Sequence, residues 1–253
     1  MKNKIYVVGM GPGKEEMMTG EALAALEWAD IIIGYTVYLN LLGVRFQKKE
    51  MLSTPMRQEA ERCRLAFEEA KKGKKVALIC SGDAGIYGMA SLMYEIGKEY
   101  LETELIIIPG ITAASSGAAV LGAPLNHDFC VISLSDLLTP WEKIEKRLIA
   151  AAKGDFAMAI YNPSSHKRKD YLQRACDILL RYLEEERACG YVENIGREGT
   201  KAVTCTLKEL RDRKVNMFTT VFIGNTGSEI VNDKLITKRG YQVERDTNIC
   251  RNN

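Results

Sequence analysis

Histidine is nearly absent. Only His127 and His166 occur in 253 residues, so a histidine-rich metal centre is excluded by count. The seven cysteines, at positions 63, 80, 130, 176, 189, 205 and 250, are scattered, odd in number and free of any Cys-x-x-Cys pair. Zinc sites and disulfide frameworks need clustered spacing, so the expectation is reduced thiols in a cytosolic core and no protein-bound metal. Long apolar runs are missing too. Stretches such as Ile31-Ile32-Ile33 and Leu105 to Pro109 fall far short of the about 20 residues that cross a bilayer. Met1-Lys2-Asn3-Lys4 leads straight into Ile5-Tyr6-Val7-Val8-Gly9, without the apolar stretch and small-residue cleavage site of a signal peptide, which reads as cytoplasmic with no membrane partner. Nor does charge of one sign dominate. Thirty-five basic and 33 acidic side chains leave a net charge of +2, and nucleic-acid binding driven by bulk charge is unsupported.

What is present is a normal globular composition, 46% hydrophobic and 27% charged, over a length that suits one large or two medium domains. Short apolar runs alternate with amphipathic stretches. Ile5–Gly9, Ile31–Gly34, Lys75–Cys80 and Leu105–Pro109 read as strands. Helices are expected over Thr19–Trp28, with Thr19 as N-cap, and over Arg57–Lys72, Ile86–Tyr100 and Thr112–Leu121. Continuous apolar strands separated by helices imply parallel pairing with both faces covered. Gly122–Asp128, with its proline and turn-forming residues, is the linker candidate. Beyond it the alternation is less clean. Phe129–Ser133, Phe156–Tyr161, Ala188–Val192, Ala202–Cys205 and Thr219–Ile223 read as strands, and Trp141–Ala152, Lys167–Glu184 and Thr206–Arg213 as helices. Thr247–Asn253 reads as a poorly ordered tail.

Ligands of open parallel sheets bind outside the carboxyl ends of the strands, so the loops there carry the functional information. Three of them contain glycine: Gly9-Met10-Gly11-Pro12-Gly13, Ser81-Gly82-Asp83-Ala84-Gly85 and Pro109-Gly110-Ile111-Thr112-Ala113. The first is not a dinucleotide fingerprint, because Lys14 stands where the third glycine belongs and Pro12 interrupts the turn. It is not a phosphate-binding P-loop either, since Val8 and Glu15 occupy the positions of an obligatory glycine and hydroxyl. NAD and ATP enzymes are disfavoured. Asp83 either caps the helix expected near Ile86 or orients a cofactor amine or hydroxyl, and Thr112 caps its helix, binds ligand, or does both.

In order and spacing, these loops, the second extended through Ile86-Tyr87-Gly88, resemble those of the tetrapyrrole methylases, S-adenosylmethionine enzymes of cobalamin and sirohaem synthesis. The resemblance covers almost the whole chain. It is narrowed by Gly34-Tyr35-Thr36-Val37-Tyr38, Met56-Arg57-Gln58-Glu59, Gly122 to Phe129, Ser133-Leu134-Ser135-Asp136-Leu137-Leu138-Thr139-Pro140-Trp141 and Tyr161-Asn162-Pro163-Ser164-Ser165. Together these look like the ring-contracting branch that methylates C(17) of precorrin-3B or its cobalt-containing counterpart, cobalt-factor III. Ala84 stands where most of the family has proline, and ring-contracting sequences carry alanine there too.

The resemblance implies an α/β fold of two α/β domains, class III tetrapyrrole methylase-like, with the cofactor cleft between them. The expected extents are 1–122, carrying the glycine-rich loops, and 123–253, completing the cofactor and substrate cleft. It also implies a homodimer, S-adenosylmethionine as co-substrate, a tetrapyrrole substrate, and any cobalt carried inside that substrate. The cofactor role carries over to Pro12, Gly82, Asp83, Ile86, Thr112, Ala113, Asn162 and Asn194. For a substrate ringed with carboxylates, Arg57, Ser164, Ser165, Lys167 and Arg168 are the natural partners, although Lys167 and Arg168 also fit a solvated helix start. Basic charge at a helix N-terminus opposes the macrodipole and favours an anion nearby. Ring contraction requires proton movement, for which His127 and Asp136 are the acid–base candidates, His127 because imidazole titrates near neutrality. A histidine hydrogen-bonded in a hinge is the competing reading. The rival functions are methylation at a different corrin carbon and a non-catalytic tetrapyrrole- or nucleotide-binding module.

Overall fold

The computed structural model describes residues 3–165 and 167–241. The tail expected from Thr247, together with Cys250 and His166, lies outside the described residues. In chain order the elements begin β1 (Asn3–Gly9), α1 (Gly20–Trp28), β2 (Ile31–Tyr35), α2 (Thr36–Leu39), β3 (Glu50–Thr54), α3 (Glu59–Lys71), β4 (Val76–Cys80), α4 (Ala90–Gly97), β5 (Thr103–Ile108) and α5 (Ala113–Leu121). They continue with β6 (Gly122–Ala123), β7 (Phe129–Ser133), α6 (Trp141–Lys153), β8 (Ala157–Tyr161), α7 (Tyr171–Leu179) and β9 (Ala188–Glu193). The last are β10 (Lys201–Thr206), α8 (Leu207–Arg211), β11 (Thr219–Ile223), β12 (Ser228–Val231) and β13 (Lys234–Thr237).

The chain forms two compact units. The first comprises the described residues up to Gly117 together with Glu193–Lys201, and the second Ala118–Val192 with the described residues from Ala202 onward. The expected linker is a different object. Gly122–Ala123 forms β6 and pairs in parallel with β13, which places Gly122–Asp128 within the second unit. These two small residues carry no strand pattern, so the sequence hides the pairing.

The first unit is a five-stranded sheet in the order β3-β2-β4-β1-β5, with every neighbouring pair parallel. Its continuous apolar runs are explained by burial on both faces. Ile5, Val7, Ile31, Ile33, Val76, Leu78 and Leu105 pack under α3 and α4, while Val8, Ile32, Ala77, Ile79 and Ile108 pack under α1 and α2. Successive strand residues point to opposite faces, so each run feeds both cores. Edge strand β3 (Glu-Met-Leu-Ser-Thr) is half exposed and lacks an apolar run, which is why the sequence reading missed it. Thr19 caps α1 as expected, its Oγ1 accepting from the Ala22 N–H at 3.0 Å.

The second unit holds a mixed five-stranded sheet in the order β10-β9-β11-β8-β7. Strands β7 and β8 are parallel across crossover helix α6, and β11 runs antiparallel to β8. One core of Ile132, Ile144, Leu148, Met158, Ile160, Leu172, Leu179, Val221 and their neighbours fills the side covered by α6, α7 and α8. Thr206 and Glu209 close a reciprocal capping box at the start of α8, at 3.2 and 3.0 Å.

Burial decides the chemistry of the thiols. Desolvation pushes Cys63 and Cys176 up to about 12, pushes Cys80, Cys130 and Cys205 up to about 11, and raises Cys189 well above its ordinary value. The nucleophile in alkylation is the thiolate. Iodoacetamide at mildly alkaline pH is therefore expected to label Cys63, Cys80, Cys176, Cys189 and Cys205 only as fast as the protein unfolds. Prompt labelling of the native protein, read by peptide mass, would contradict this packing.

Candidate functional site

Strand order brings the three glycine loops of the first unit together. β4, β1 and β5 are neighbours and parallel, so the loops after them leave the same edge side by side. The loops are knit backbone to backbone. Gly11 N–H donates to the Gly82 carbonyl at 3.0 Å and Gly82 N–H to the Gly11 carbonyl at 2.7 Å. A Cβ placed on Gly9 would sit 2.6 Å from the Gly110 nitrogen and 2.8 Å from the Gly82 oxygen, closer than real side chains approach. Gly82 is different. It has a φ of +69°, and a Cβ there would meet nothing nearer than 3.7 Å, so its open side is lined by main chain alone.

Asp83 ties this edge together. Its Oδ1 accepts from the N–H groups of Gly85 at 2.7 Å and Ile86 at 3.1 Å, and its Oδ2 accepts from Gly110 N–H at 2.9 Å. One carboxylate thus fixes its own loop and pins the loop after β5 to it. It does not cap α4, which starts only at Ala90. Gly85, Gly88 and the left-handed Tyr87 (φ 55°) prevent the earlier start expected at Ile86. Ala84 is fully buried beneath the loop, and its carbonyl accepts from Ala90 N–H at 3.0 Å. Ile86 is exposed at the loop surface. The Thr112 carbonyl accepts from both the backbone N–H and the hydroxyl of Ser116, at 3.1 and 2.9 Å, and Ala113 opens α5.

Segment Glu193–Lys201 completes this edge from far along the chain. Asn194 is left-handed (φ 52°), and its carbonyl accepts from Arg197 N–H at 2.9 Å and the Thr200 hydroxyl at 2.8 Å. That turn projects Arg197, whose Nε donates to the Pro12 carbonyl at 3.2 Å and whose Nη2 donates to the Ser81 hydroxyl at 3.4 Å. Burial draws the guanidinium below its ordinary value, partly opposed by the Tyr38 phenol. Asn194 thus serves as the turn that carries Arg197. The sequence reading missed Arg197. Its only signal was the run of turn formers Asn194, Gly196 and Gly199.

In the second unit the carboxyl ends of β7 and β8 gather Ser133, Asp136, Asn162, Ser164, Ser165 and Arg168. Asn162, left-handed at φ 53°, donates from Nδ2 to Ser133 Oγ at 2.9 Å. Asp136 is bonded on both oxygens, by Arg168 Nε and by the Tyr171 hydroxyl, the latter at 2.5 Å. The Tyr171 bond first, and Arg168 second, hold its carboxyl below the usual range. Tyr171 was also missed. Lys167 and Arg168 lie in a turn closed by Arg168 N–H on the Ser165 carbonyl at 3.0 Å, ahead of a helix that begins only at Tyr171. Neither residue stands at the helix start, contrary to the expectation, and the macrodipole acts only within the first turn. Ser164 is buried and Lys167 exposed.

The two acid–base candidates are not brought together. His127 precedes β7 and Asp136 follows it, so the strand separates them by roughly 17 Å at ~3.3 Å per residue. His127 lines a cleft of about 300 Å³ with Asp155, Thr226, Lys238 and Arg239 at the amino ends of β7 and β8.

Residues 4–211 match the family of Tetrapyrrole (Corrin/Porphyrin) Methylases. The chain is a tetrapyrrole methylase. Among similar members, the probable cobalt-factor III C(17)-methyltransferase of Salmonella typhimurium is 45% identical over 94% of this chain and 99% of its own length. The cobalt-factor III methyltransferase of Priestia megaterium is 44% identical over 96% of this chain, which spans only 46% of that relative's length. The crystal structure of the methyltransferase CobJ, 38% identical, superposes with a TM-score of 0.86 over 93% of this methylase and 100% of that chain. Two α/β units with helix-flanked parallel strands are thus the architecture of the family member in hand.

Proposed function

We propose that this methylase transfers the methyl group of S-adenosylmethionine to C(17) of cobalt-factor III, or of precorrin-3B, with contraction of the ring, in cobalamin biosynthesis. The names of the similar proteins support the substrate. The observation that carries the reading is the knitted edge of the first unit, where Gly9, Gly82 and Gly110 leave main chain as the lining and Asp83 holds it in place. When bound, S-adenosylmethionine supplies a methyl group already activated on its sulfonium, so the protein needs to bind, desolvate and align rather than furnish a nucleophile. Pro12, Gly82, Ile86, Thr112 and Ala113 are the first unit's cofactor residues in this reading, with Asp83 and Asn194 shaping the loops that do the binding. Asn162 is the remaining cofactor residue of this reading.

Arg57, Ser164, Ser165, Lys167 and Arg168 would receive the carboxylates of the tetrapyrrole. Asp136 holds Arg168 through Nε, which leaves the paired Nη nitrogens for a bidentate carboxylate contact. A carboxyl held ionised and bonded on both sides suits this anchoring better than donation of a proton. The homodimer and the cytoplasmic location implied by the resemblance are part of the same proposal, as is cobalt that arrives inside the substrate.

Calorimetry with S-adenosylmethionine and S-adenosylhomocysteine tests the cofactor half, and no heat with either would overturn it. Incubation with cobalt-factor III, and separately with precorrin-3B, followed by product mass and absorption spectrum, tests the rest. A methylated product with an uncontracted chromophore would assign a different carbon. His127 lies at the amino end of β7, away from the strand ends that carry the other candidates, so His127→Ala is expected to keep both cofactor binding and turnover. Retained cofactor binding with no product would restore His127 to the reaction.

A further inference from the structure

Two arginines are buried among the described residues, Arg62 at 3% and Arg187 at 4% exposure. Arg187 is paired with carboxylates, Glu184 at 2.8 Å and Asp155 at 3.5 Å. Arg62 is not. Its Nη2 donates to the carbonyls of Thr54 at 3.2 Å and Pro55 at 3.1 Å, its Nη1 reaches Met89 Sδ at 3.5 Å, and its guanidinium lies 5.8 Å from the centre of the Tyr35 ring. Its Nε, like that of Arg187, is buried without a partner, so the missing carboxylate is what sets Arg62 apart. Burying a cation without a counter-charge is costly, so a role confined to packing is poorly served by arginine here.

What this side chain grips is the end of β3 and the turn that follows. The turn is closed by the Thr54 hydroxyl on the Gln58 carbonyl at 3.4 Å and by Arg57 N–H on Glu59 Oε1 at 3.3 Å. At its apex Arg57 has a φ of +70°. A left-handed conformation is unfavourable for a non-glycine residue, and it persists only where the surroundings enforce it. Met89 and Tyr35 extend the same grip to the loop after β4 and the end of β2.

We propose that Arg62 is a positioning residue. It holds Arg57 in its left-handed conformation so that the Arg57 guanidinium is presented to a carboxylate of the tetrapyrrole. This rests on the substrate reading above. Arg62→Lys keeps the charge but loses the two-pronged donor geometry, and Arg62→Met removes both. In Arg62→Lys, amide exchange over residues 54–58, measured without substrate, is expected to rise about tenfold. KM for cobalt-factor III is expected to rise by about tenfold with little change in kcat, the signature of lost binding that is common to ground and transition states. Arg57→Ala raises KM similarly, and combining it with Arg62→Lys adds little, because coupled residues are not additive. Wild-type exchange at 54–58 in Arg62→Lys and in any folded Arg62→Met, or multiplicative effects of the two arginine changes on KM, would overturn the proposal. If the wild type turned over no tetrapyrrole, the substrate half would fall with the functional reading, while faster exchange would still establish the grip on the turn.

Discussion

Gly9→Ala is expected to lower methyl transfer by about a hundredfold and to weaken S-adenosylhomocysteine binding in a chain that still folds. The added Cβ would stand 2.6 Å from the Gly110 nitrogen and 2.8 Å from the Gly82 oxygen. Both are main-chain atoms just beyond strand ends, so no flexible side chain can give way. The loops after β1, β4 and β5 must instead move apart. Overpacking of this kind costs about 1–3 kcal/mol, a fall of roughly 5 °C in Tm for a protein of this size. The functional loss is larger because displacing a binding edge by ~1 Å costs on the order of a hundredfold in rate. Gly20→Ala is the control. Nothing lies within 4 Å of a Cβ there, at the start of α1, so binding and Tm are expected to hold or rise. A Gly9→Ala variant that binds S-adenosylhomocysteine as the wild type does would refute the close approach of the three loops.

Asp83 carries the second large effect, and its amide variant is the informative one. The carboxylate accepts three main-chain N–H groups, two on Oδ1 and one on Oδ2. Asparagine preserves shape but replaces one acceptor oxygen with an NH2 group that can only donate. In either rotamer an amide N–H faces another N–H, that of Gly110 or those of Gly85 and Ile86. Asp83→Asn is therefore expected to be about as damaging as Asp83→Ala. A hydrogen bond to an ionised acceptor is worth ~1.5–3 kcal/mol, so S-adenosylhomocysteine affinity should fall by roughly tenfold to a hundredfold in both. If Asp83→Asn bound normally while Asp83→Ala did not, the side chain would be contributing shape rather than acceptor geometry.

The legible parts of the molecule were those written in contiguous residues. Strands such as Val76–Cys80 announce themselves because both faces are buried, and Thr19 marks the start of α1 by its own side chain. The three loops were legible as glycine-bearing strand ends, and with the sequence segments around them they pointed to the family. Relations between distant residues were not legible. The choice left open for Asp83, cap or ligand contact, is answered in part by Gly110, 27 residues away. Arg62 did leave a trace, since it stands four residues before Ala66 on the buried stripe of α3, where a charged residue is out of place. Strands β12 and β13 are not legible because they are four residues each, β12 exposed or half-exposed throughout and β13 buried only at Leu235 and Thr237. His127 is a candidate for its chemistry and its place in the expected linker, and only strand direction reveals that it sits at the other end of β7 from Asp136.

The arrival of Arg197 at the first glycine loop has a consequence for how this protein can be made and cut. Arg197 and Pro12 are 185 positions apart in the chain, a separation whose closure entropy must be met before the contact yields anything. On the ribosome, the three glycine loops emerge long before the arginine that braces them, and the first unit remains unfinished until Lys201 has been synthesised. A fragment ending at Gly117 would contain every strand of the first sheet and still lack its last piece. The unit is contiguous in space but not in the gene, and no single cut of the gene isolates it.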